Sequence, residues 1–434
     1  MSLHLPDRAA RARGERRLYG PRDFDLQLFG QAPSAELVTL GIGKETVYGT
    51  AVSPTVFLIP SSEGYDGTNE LLERPGARKR IGQTEQLTGM FTGKGQMQVE
   101  VDPDTIGALL LLAFGAESIG ADASNPDAEA VTTTLSVGVG VGNNWATPAA
   151  MTNIVKGQSL TIDSGETVVV RAITATQFFA YFTTAHASGV DVVNASVVLA
   201  YDHNFTLASP RHSFTAQLND VISSKNSFGC KISKLSFKIT PKAIIEAMVT
   251  VEYQGEANVS SPTSPSYSVL RGLVFTTPGN AVTMNGIAID SSVQAITIDI
   301  DLGLITDYPK YGNGRYRAQL PETQTKVSLG LDLAFETDTM LQNFWGAPSS
   351  TGPQGDVVPA PIVVTVDSVD NVNTALPYSM TFTFPNAKPK TAPVTRKVGD
   401  YLKQTVQFEN SESTNGAGDD CSVLLCNAAS GASF

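Results

Sequence analysis

The chain has 434 residues, 41% of them hydrophobic, with 38 glycines, 24 prolines and a formal net charge of −12. That length supports more than one apolar core, and the composition excludes collagen-like or wholly disordered character. Such an acidic chain should on balance repel DNA, leaving room only for a local basic patch, because neutralising phosphates takes a cationic surface.

Residues 1–35 are polar and carry Arg8, Arg11, Arg13, Arg16 and Arg17 with no apolar run behind them. They read as an extended arm or a disordered tail rather than a secretory signal. Its arginines suit nucleic acid or, better in an acidic chain, a neighbouring subunit. From Leu37 apolar residues alternate with period two, the mark of strands with one covered face. In 87–101, Phe91, Met97, Val99 and Val101 alternate with Thr92, Gln96, Gln98 and Glu100. Gly89, Gly93 and Gly95 share the apolar register, which predicts a kinked or closely approached strand. Asp102, Pro103 and Asp104 then open a helix predicted over 103–114, and Gly115 stops it.

Residues 117–197 hold strands of their own, SLTIDSGETVVVRAIT and QFFAYFTTAH, with a hairpin turn at Asp163-Ser164-Gly165. A structureless loop of that length is unusual, so a small inserted β domain is expected. Alternation returns at Leu235, Phe237 and Ile239, and at Ala247, Val249, Val251 and Tyr253. The Ser/Pro-rich stretch 257–266 has linker composition. Further runs are Ile296 to Leu302, Val327 to Phe335 and Tyr378 to Phe384, and a second short helix is expected over 338–345, ended by Gly346. Strands with rare helices predict a mainly β, mostly antiparallel fold.

Two segments correspond. QMQVEVDPDTIGALLLLAFGA (96–116) and SLGLDLAFETDTMLQNFWGA (328–347) each run from an alternating strand through Asp-Thr into a short apolar helix and Gly-Ala. Asp104-Thr105 aligns with Asp338-Thr339. Downstream, SFTAQL (213–218) matches SMTFTF (379–384), and IIEAMVTVEYQGE matches YLKQTVQFENSE. Upstream, each has a glycine- and charge-rich stretch, 64–95 and 307–320. We read a duplication. The expected organisation is an arm (1–35), a first module (36–116 plus 198–258), an inserted β domain (117–197), a linker (259–267), a second module (268–428) and a tail (429–434).

The chemistry expected of an enzyme is missing from the sequence. The histidines His4, His186, His203 and His212 show no HExxH spacing, and there is no GxSxG elbow and no Walker A run. GVGVG (138–142) does not open a helix, so it does not fit a dinucleotide fingerprint. His203 and His212 flank FTLASPR and read as loop or strand-edge residues. Asp299 and Asp301 share one strand face, which suits a hard cation, a carboxylate pair or simply a solvated acidic face. Cys230, Cys421 and Cys426 are too few and odd in number for a disulfide framework, and fit a reducing cytosol. Cys421 and Cys426 lack a partner pair with metal-site spacing, so inert buried thiols are expected. No apolar stretch is long enough to span a bilayer. No catalytic, cofactor-binding or metal residue is nominated, and a structural, non-enzymatic role is expected.

One family matches in spacing and character. Residues 43–116 start with Lys44, Glu45, Gly49 and Thr50, continue through an Arg-rich stretch (Arg74 to Arg80), and end in a glycine-punctuated strand, Asp-Pro and a short helix. Together with His203-Asn204-Phe205-Thr206, SFTAQLND, GCKISKLSFKI and FTFPNAKPK, this resembles the phage tail tube proteins, the major tail proteins of long-tailed, siphovirus-like bacteriophages. The resemblance covers 43–116 and 198–428.

The resemblance implies two tandem tail-tube β-sandwich or barrel modules, each with one short helix, in rings that stack into a hollow tube. Rings of six modules imply a homotrimer of pseudo-sixfold symmetry, or a homohexamer if the duplication fails. Implied partners are other copies of the chain, the tape measure protein and double-stranded DNA transiently in the lumen, and tail terminator and distal tail proteins at the ends. No cofactor and no membrane are involved. The implied location is the virion, assembled in the host bacterial cytoplasm. Asp299, Asp301 and Asp332 are candidate residues of an acidic lumen, and 64–95 and 307–320 candidate contacts between rings. The alternatives are a head–tail connector or distal tail ring, or a carbohydrate-binding or hydrolytic β-protein. The last should show an aromatic platform or a carboxylate pair, and the chain has only Trp145 and Trp345.

Overall fold

The computed structural model describes residues 38–73, 86–121, 131–156, 158–163, 165–194, 200–220, 222–240, 243–267, 280–347, 349–372, 376–399, 401–411 and 421–434. The expected arm, 1–35, lies outside them. The described residues are mainly β, with two α-helices.

The alternating runs form one antiparallel sheet with eight strand positions. In spatial order these are Pro60–Glu73, Gln86–Glu100, Glu246–Tyr253, Ser224–Ile239, Val293–Asp301, Lys326–Ala334, Lys403–Asn410, and a last position filled by the end of Pro377–Thr391 and by Val394–Thr395. One face is the predicted apolar register. Met97, Val99, Val249, Leu235, Phe237, Ile298, Leu331 and Phe408 are all buried there.

Each half adds a second layer. In the first, Val56–Leu58, Thr39–Lys44, Phe214–Asn219, the start of Ser224–Ile239 and Gly255–Asn258 lie in that order. In the second, the same places are taken by Ile287–Ala288, Ala281–Met284, Ala360–Asn371, the start of Pro377–Thr391 and Ser422–Asn427. Three register shifts recur with the neighbours. Phe214/Ala216 matches Ala360/Ile362, Ile232/Lys234 matches Pro389/Thr391, and Pro60/Ser62 matches Val293/Ala295. By pairing, SFTAQL therefore takes the place of Ala360–Asn371 and SMTFTF that of the start of Ser224–Ile239. The sequence match set these one strand off, because every alternating strand looks alike when its partners are unknown. IIEAMVTVEYQGE and YLKQTVQFENSE do occupy equal places.

The long strand Ser224–Ile239 leaves one layer and enters the other. At the crossing, Gly229 has φ +63 and donates its N–H to Glu45 Oε1 at 2.8 Å. A Cβ there would stand 2.7 Å from Gln254 Cβ, so glycine is required twice over. The interior runs unbroken between the halves, with the Phe237 and Phe382 rings edge to face, 5.0 Å apart at 61°.

The first helix, Ile106–Phe114, is buried along its whole length. It starts later than expected because residues 103–105 form a turn, in which the Asp102 carbonyl accepts N–H groups from Thr105 and Ile106. Gly115 ends it at φ +93, donating to the Leu111 carbonyl. The antiparallel strands Gly115–Ala121 and Tyr201–Leu207 pack against it, and Asn427 Nδ2 donates to the Pro103 carbonyl at 3.0 Å. The second helix, Thr339–Trp345, starts at Asp338 and ends at Gly346 as expected, but only Met340 is buried. Among the described residues, no strand pair follows it as one follows the first.

Seven strands within 132–194 make a separate sheet with its own apolar cluster around Leu160, Ile162, Phe178, Phe182 and Val192. Ser159–Ile162 and Glu166–Val169 pair as the predicted hairpin, with Asp163 at φ +53; Ser164 lies outside the described residues. Gly115–Ala121 does not join this sheet, since it pairs with Tyr201–Leu207. The stretch read as a linker begins inside the strand Gly255–Asn258 and is then tied down, with Thr263 N–H donating to Gln217 Oε1 at 2.8 Å.

Candidate assembly surface

The second face of the eight-position sheet is mostly polar, with Met248 and Leu71 as exposed apolar residues on it. Asp66, Glu73, Glu100, Glu246, Glu252, Asp299, Asp301, Asp332 and Glu409 share it with Lys94, Lys234, Lys238, Lys326, Lys388 and Lys403, so charges of both signs are interspersed with carboxylates in excess. The three aspartates singled out from sequence therefore do share one face. Asp299 is paired: Lys234 Nζ stands 2.9 Å away and Ser236 donates its hydroxyl at 2.5 Å. Burial pushes the Asp299 carboxyl up, but these two partners outweigh it and hold it below its usual value. Asp301 Oδ1 accepts the Gly303 N–H at 3.1 Å, and Asp332 accepts the Thr405 hydroxyl at 2.7 Å. Among the described residues no group of three His, Cys, Asp or Glu could hold a metal ion.

The two halves meet on this sheet. Lys234 to Ile239 pair antiparallel with Asp301 to Ile296, six residues on each side. The loop that follows folds back over the first half. Glu322 receives Lys231 at 2.7 Å and Arg211 at 3.4 Å. Burial works against the Glu322 charge, and these cations still hold its carboxyl low. Arg317, fully buried, pairs with buried Glu252 at 2.9 Å, and Phe91 N–H donates to the Arg315 carbonyl at 2.9 Å. The stretch 307–320 is thus held by the chain's own strands.

At its two ends the sheet stops. Among the described residues, Pro60–Glu73 pairs only with Gln86–Glu100, and from Lys388 onward the last position pairs only with Lys403–Asn410. The edges differ in charge. The first carries Glu63, Asp66, Glu70 and Glu73; the second carries Lys388, Lys390, Arg396 and Lys397. Lys388 and Lys390 reach Asp356 at 3.8 Å and Glu409 at 2.5 Å, in solvent on both sides. Glu63 is partly buried, and its Oε2 has no hydrogen-bond partner. Burial pushes the Glu63 carboxyl up, Lys225 offsets this only in part, and Asp220 adds to it. The sequence reading missed these edges, although a lysine- and proline-bearing strand, NAKPKTAP, is the known signature of one.

The three described histidines, His186, His203 and His212, lie in different surroundings. His203 is no loop or edge residue: it sits in a strand paired on both sides and is 1% exposed. Its Nδ1 lies 2.7 Å from Glu117 Oε1 and its Nε2 2.8 Å from the Ala429 carbonyl, so both nitrogens donate. His212 is pushed below its ordinary value by burial and by Lys44. In the small sheet, His186 Nε2 lies 2.6 Å from Glu166, which also accepts from Thr183 and Thr184. All three cysteines are buried and none is in a disulfide. On that same small sheet Trp145 packs at a tilt of 51° against Phe179, centroids 5.3 Å apart, with exposed Tyr181 on the same strand as Phe179. No helix among the described residues is long and apolar enough to cross a membrane.

A family model described as phage tail tube protein matches residues 36–409. No curated protein matches the chain.

Proposed function

The chain belongs to the phage tail tube protein family, and from this we propose that it is the repeating structural subunit of a tail tube, built from two copies of one module and closed into rings by its sheet edges. The observation that carries this reading is an eight-position sheet that ends in two open, oppositely charged edges. The duplication is supported by the recurrence of strand neighbours and of three register shifts in both halves. We place the modules at about 38–121 plus 200–258 and 280–427, with a small unit at 131–194 carried outside the sheet.

Three chains make a closed ring with six modules. At about 4.8 Å between strands and a tilt of ~40°, three such sheets close into a barrel roughly 50 Å across its backbone. Closure removes the open edges, and heterologous contacts between rings extend the ring into a tube. The polar face lines the lumen, which is weakly acidic and mixed in sign. With few unpaired cations, DNA finds little counterion-release affinity there and slides through during ejection. The tape measure protein occupies the same channel before the genome, and terminator and distal tail proteins cap the ends.

Negative-stain microscopy of the purified chain tests this. Long hollow tubes are expected. Isolated closed rings would favour a connector or distal tail ring, and a persistent monomer would sink the reading. The Trp145–Phe179–Tyr181 face favours a second reading for the small unit alone, as a site where sugar rings stack on aromatics. Glycan-array binding abolished by Trp145→Ala would support it, and an array without signal would end it.

A further inference from the structure

We infer that neighbouring copies join by a second edition of the junction inside the chain: residues 391–396 of one copy pair antiparallel with residues 68–63 of the next, Thr391 facing Thr68 and Arg396 facing Glu63. This rests on the tube reading above and adds the register.

The pairing inside the chain supplies the template. Lys234 is the first residue after a register shift and lies opposite Thr250, while Thr391 follows the matching shift opposite Gln407. Counting on, Phe237 corresponds to Val394 and Ile239 to Arg396. Their neighbouring strands agree, since Phe237 lies opposite Ala247 and Val394 opposite Gln404, and these two hold equal places. On the other edge, Val293 and Pro60 precede matching shifts. Ile296 therefore corresponds to Glu63, Ile298 to Tyr65 and Asp301 to Thr68. Inside the chain Lys234 faces Asp301, Phe237 faces Ile298 and Ile239 faces Ile296. Carried over, these become Thr391 with Thr68, Val394 with Tyr65, and Arg396 with Glu63.

Three independent features fit a copy of this chain as the occupant. The charge signs repeat, because a lysine-bearing strand meets an aspartate-bearing strand inside the chain, and the open edges carry Lys388, Lys390, Arg396 and Lys397 against Glu63, Asp66, Glu70 and Glu73. The partnerless Oε2 of Glu63 falls opposite Arg396, whose planar fork suits a carboxylate. Finally, Pro393 does not spoil the edge. Its carbonyl accepts from Thr405, so its missing N–H would also have pointed inward.

Cross-linking reads the register directly. Thr68 and Thr391 are both exposed, and opposed residues in an antiparallel pair have Cα atoms about 4.5–5.5 Å apart, within disulfide range. Full-length Thr68→Cys and Thr391→Cys, mixed and oxidised, should give a disulfide dimer that neither gives alone. Asp66→Cys mixed with Thr391→Cys should give none. Arg396→Glu and Glu63→Arg should each abolish tubes, and together restore them. If the unaltered chain forms tubes while the 68–391 disulfide is absent, or while the 66–391 pair links instead, this register is wrong and the tube reading stands. Tubes unaffected by either charge reversal also overturn it. An unaltered chain that never associates overturns both.

Discussion

At the residue scale, charged groups buried inside the chain serve to fasten it. His203 donates from both nitrogens, to Glu117 and to the Ala429 carbonyl, while Ser433 donates its N–H to Glu117 at 3.1 Å. Burial alone would lower His203, but Glu117 and Ala429 outweigh it and raise the imidazole above its ordinary value; against burial, His203 and Ser433 hold Glu117 low. The clamp on residues 429–433 is therefore full below the unfolded imidazole value of roughly 6.5 and weakens as pH rises through the elevated native value. Glu117 contributes above the unfolded carboxylate value of about 4.3, and that share is lost as pH falls through its depressed native value. Protection of the Ser433 amide from hydrogen exchange, taken relative to its intrinsic base-catalysed rate, should fall on the alkaline side, and His203→Gln should flatten that fall. Arg317 and Glu252 make a second fastening. Arg317→Met should cost about 3 kcal/mol in chemical denaturation, and a double variant with Glu252→Met should recover much of it, because the loss comes from stranding a buried charge.

At the element scale, the strands were legible because each buries one face against a common core, so its side chains must alternate. Leu235, Phe237 and Ile239 or Leu329, Leu331 and Leu333 announce themselves without any partner. The two helices were legible from their stops, Gly115 and Gly346. What could not be read was how differently they are covered. Leu110→Ala in the first helix, fully buried beneath two strands, should destabilise the chain by roughly 2–5 kcal/mol, whereas Leu341→Ala, half-buried in the second, should cost distinctly less. Thermal or urea unfolding of the two variants checks the difference. Placing SFTAQL opposite SMTFTF went wrong for a related reason: register belongs to pairs of strands, and a single alternating strand does not name its neighbour.

At the scale of the whole molecule, the sheet ends in one acidic edge and one basic edge. Assembly should weaken as ionic strength rises, since exposed charges lose their long-range attraction within a Debye length of about 8 Å at physiological salt. Light scattering against salt concentration would register this as slower tube growth, and salt-independent growth would remove electrostatics from the junction. Deleting residues 1–35 should impair polymerisation more than folding. Circular dichroism unchanged from the full chain, with tubes reduced or absent in micrographs, is the expected result.

The sequence by itself determined the elements and the class: one-faced strands, two short helices ended by glycines, and an acidic balance. These follow from local periodicity and composition, which any chain displays before it folds. Only the tertiary structure decided which strands are neighbours, that His203 is buried between Glu117 and the Ala429 carbonyl rather than at an edge, and that among the described residues Pro60–Glu73 and the stretch from Lys388 are left as open edges. Neighbours and edges arise when segments far apart in the chain compete for the same hydrogen-bonding partners, and no single segment carries a record of that outcome.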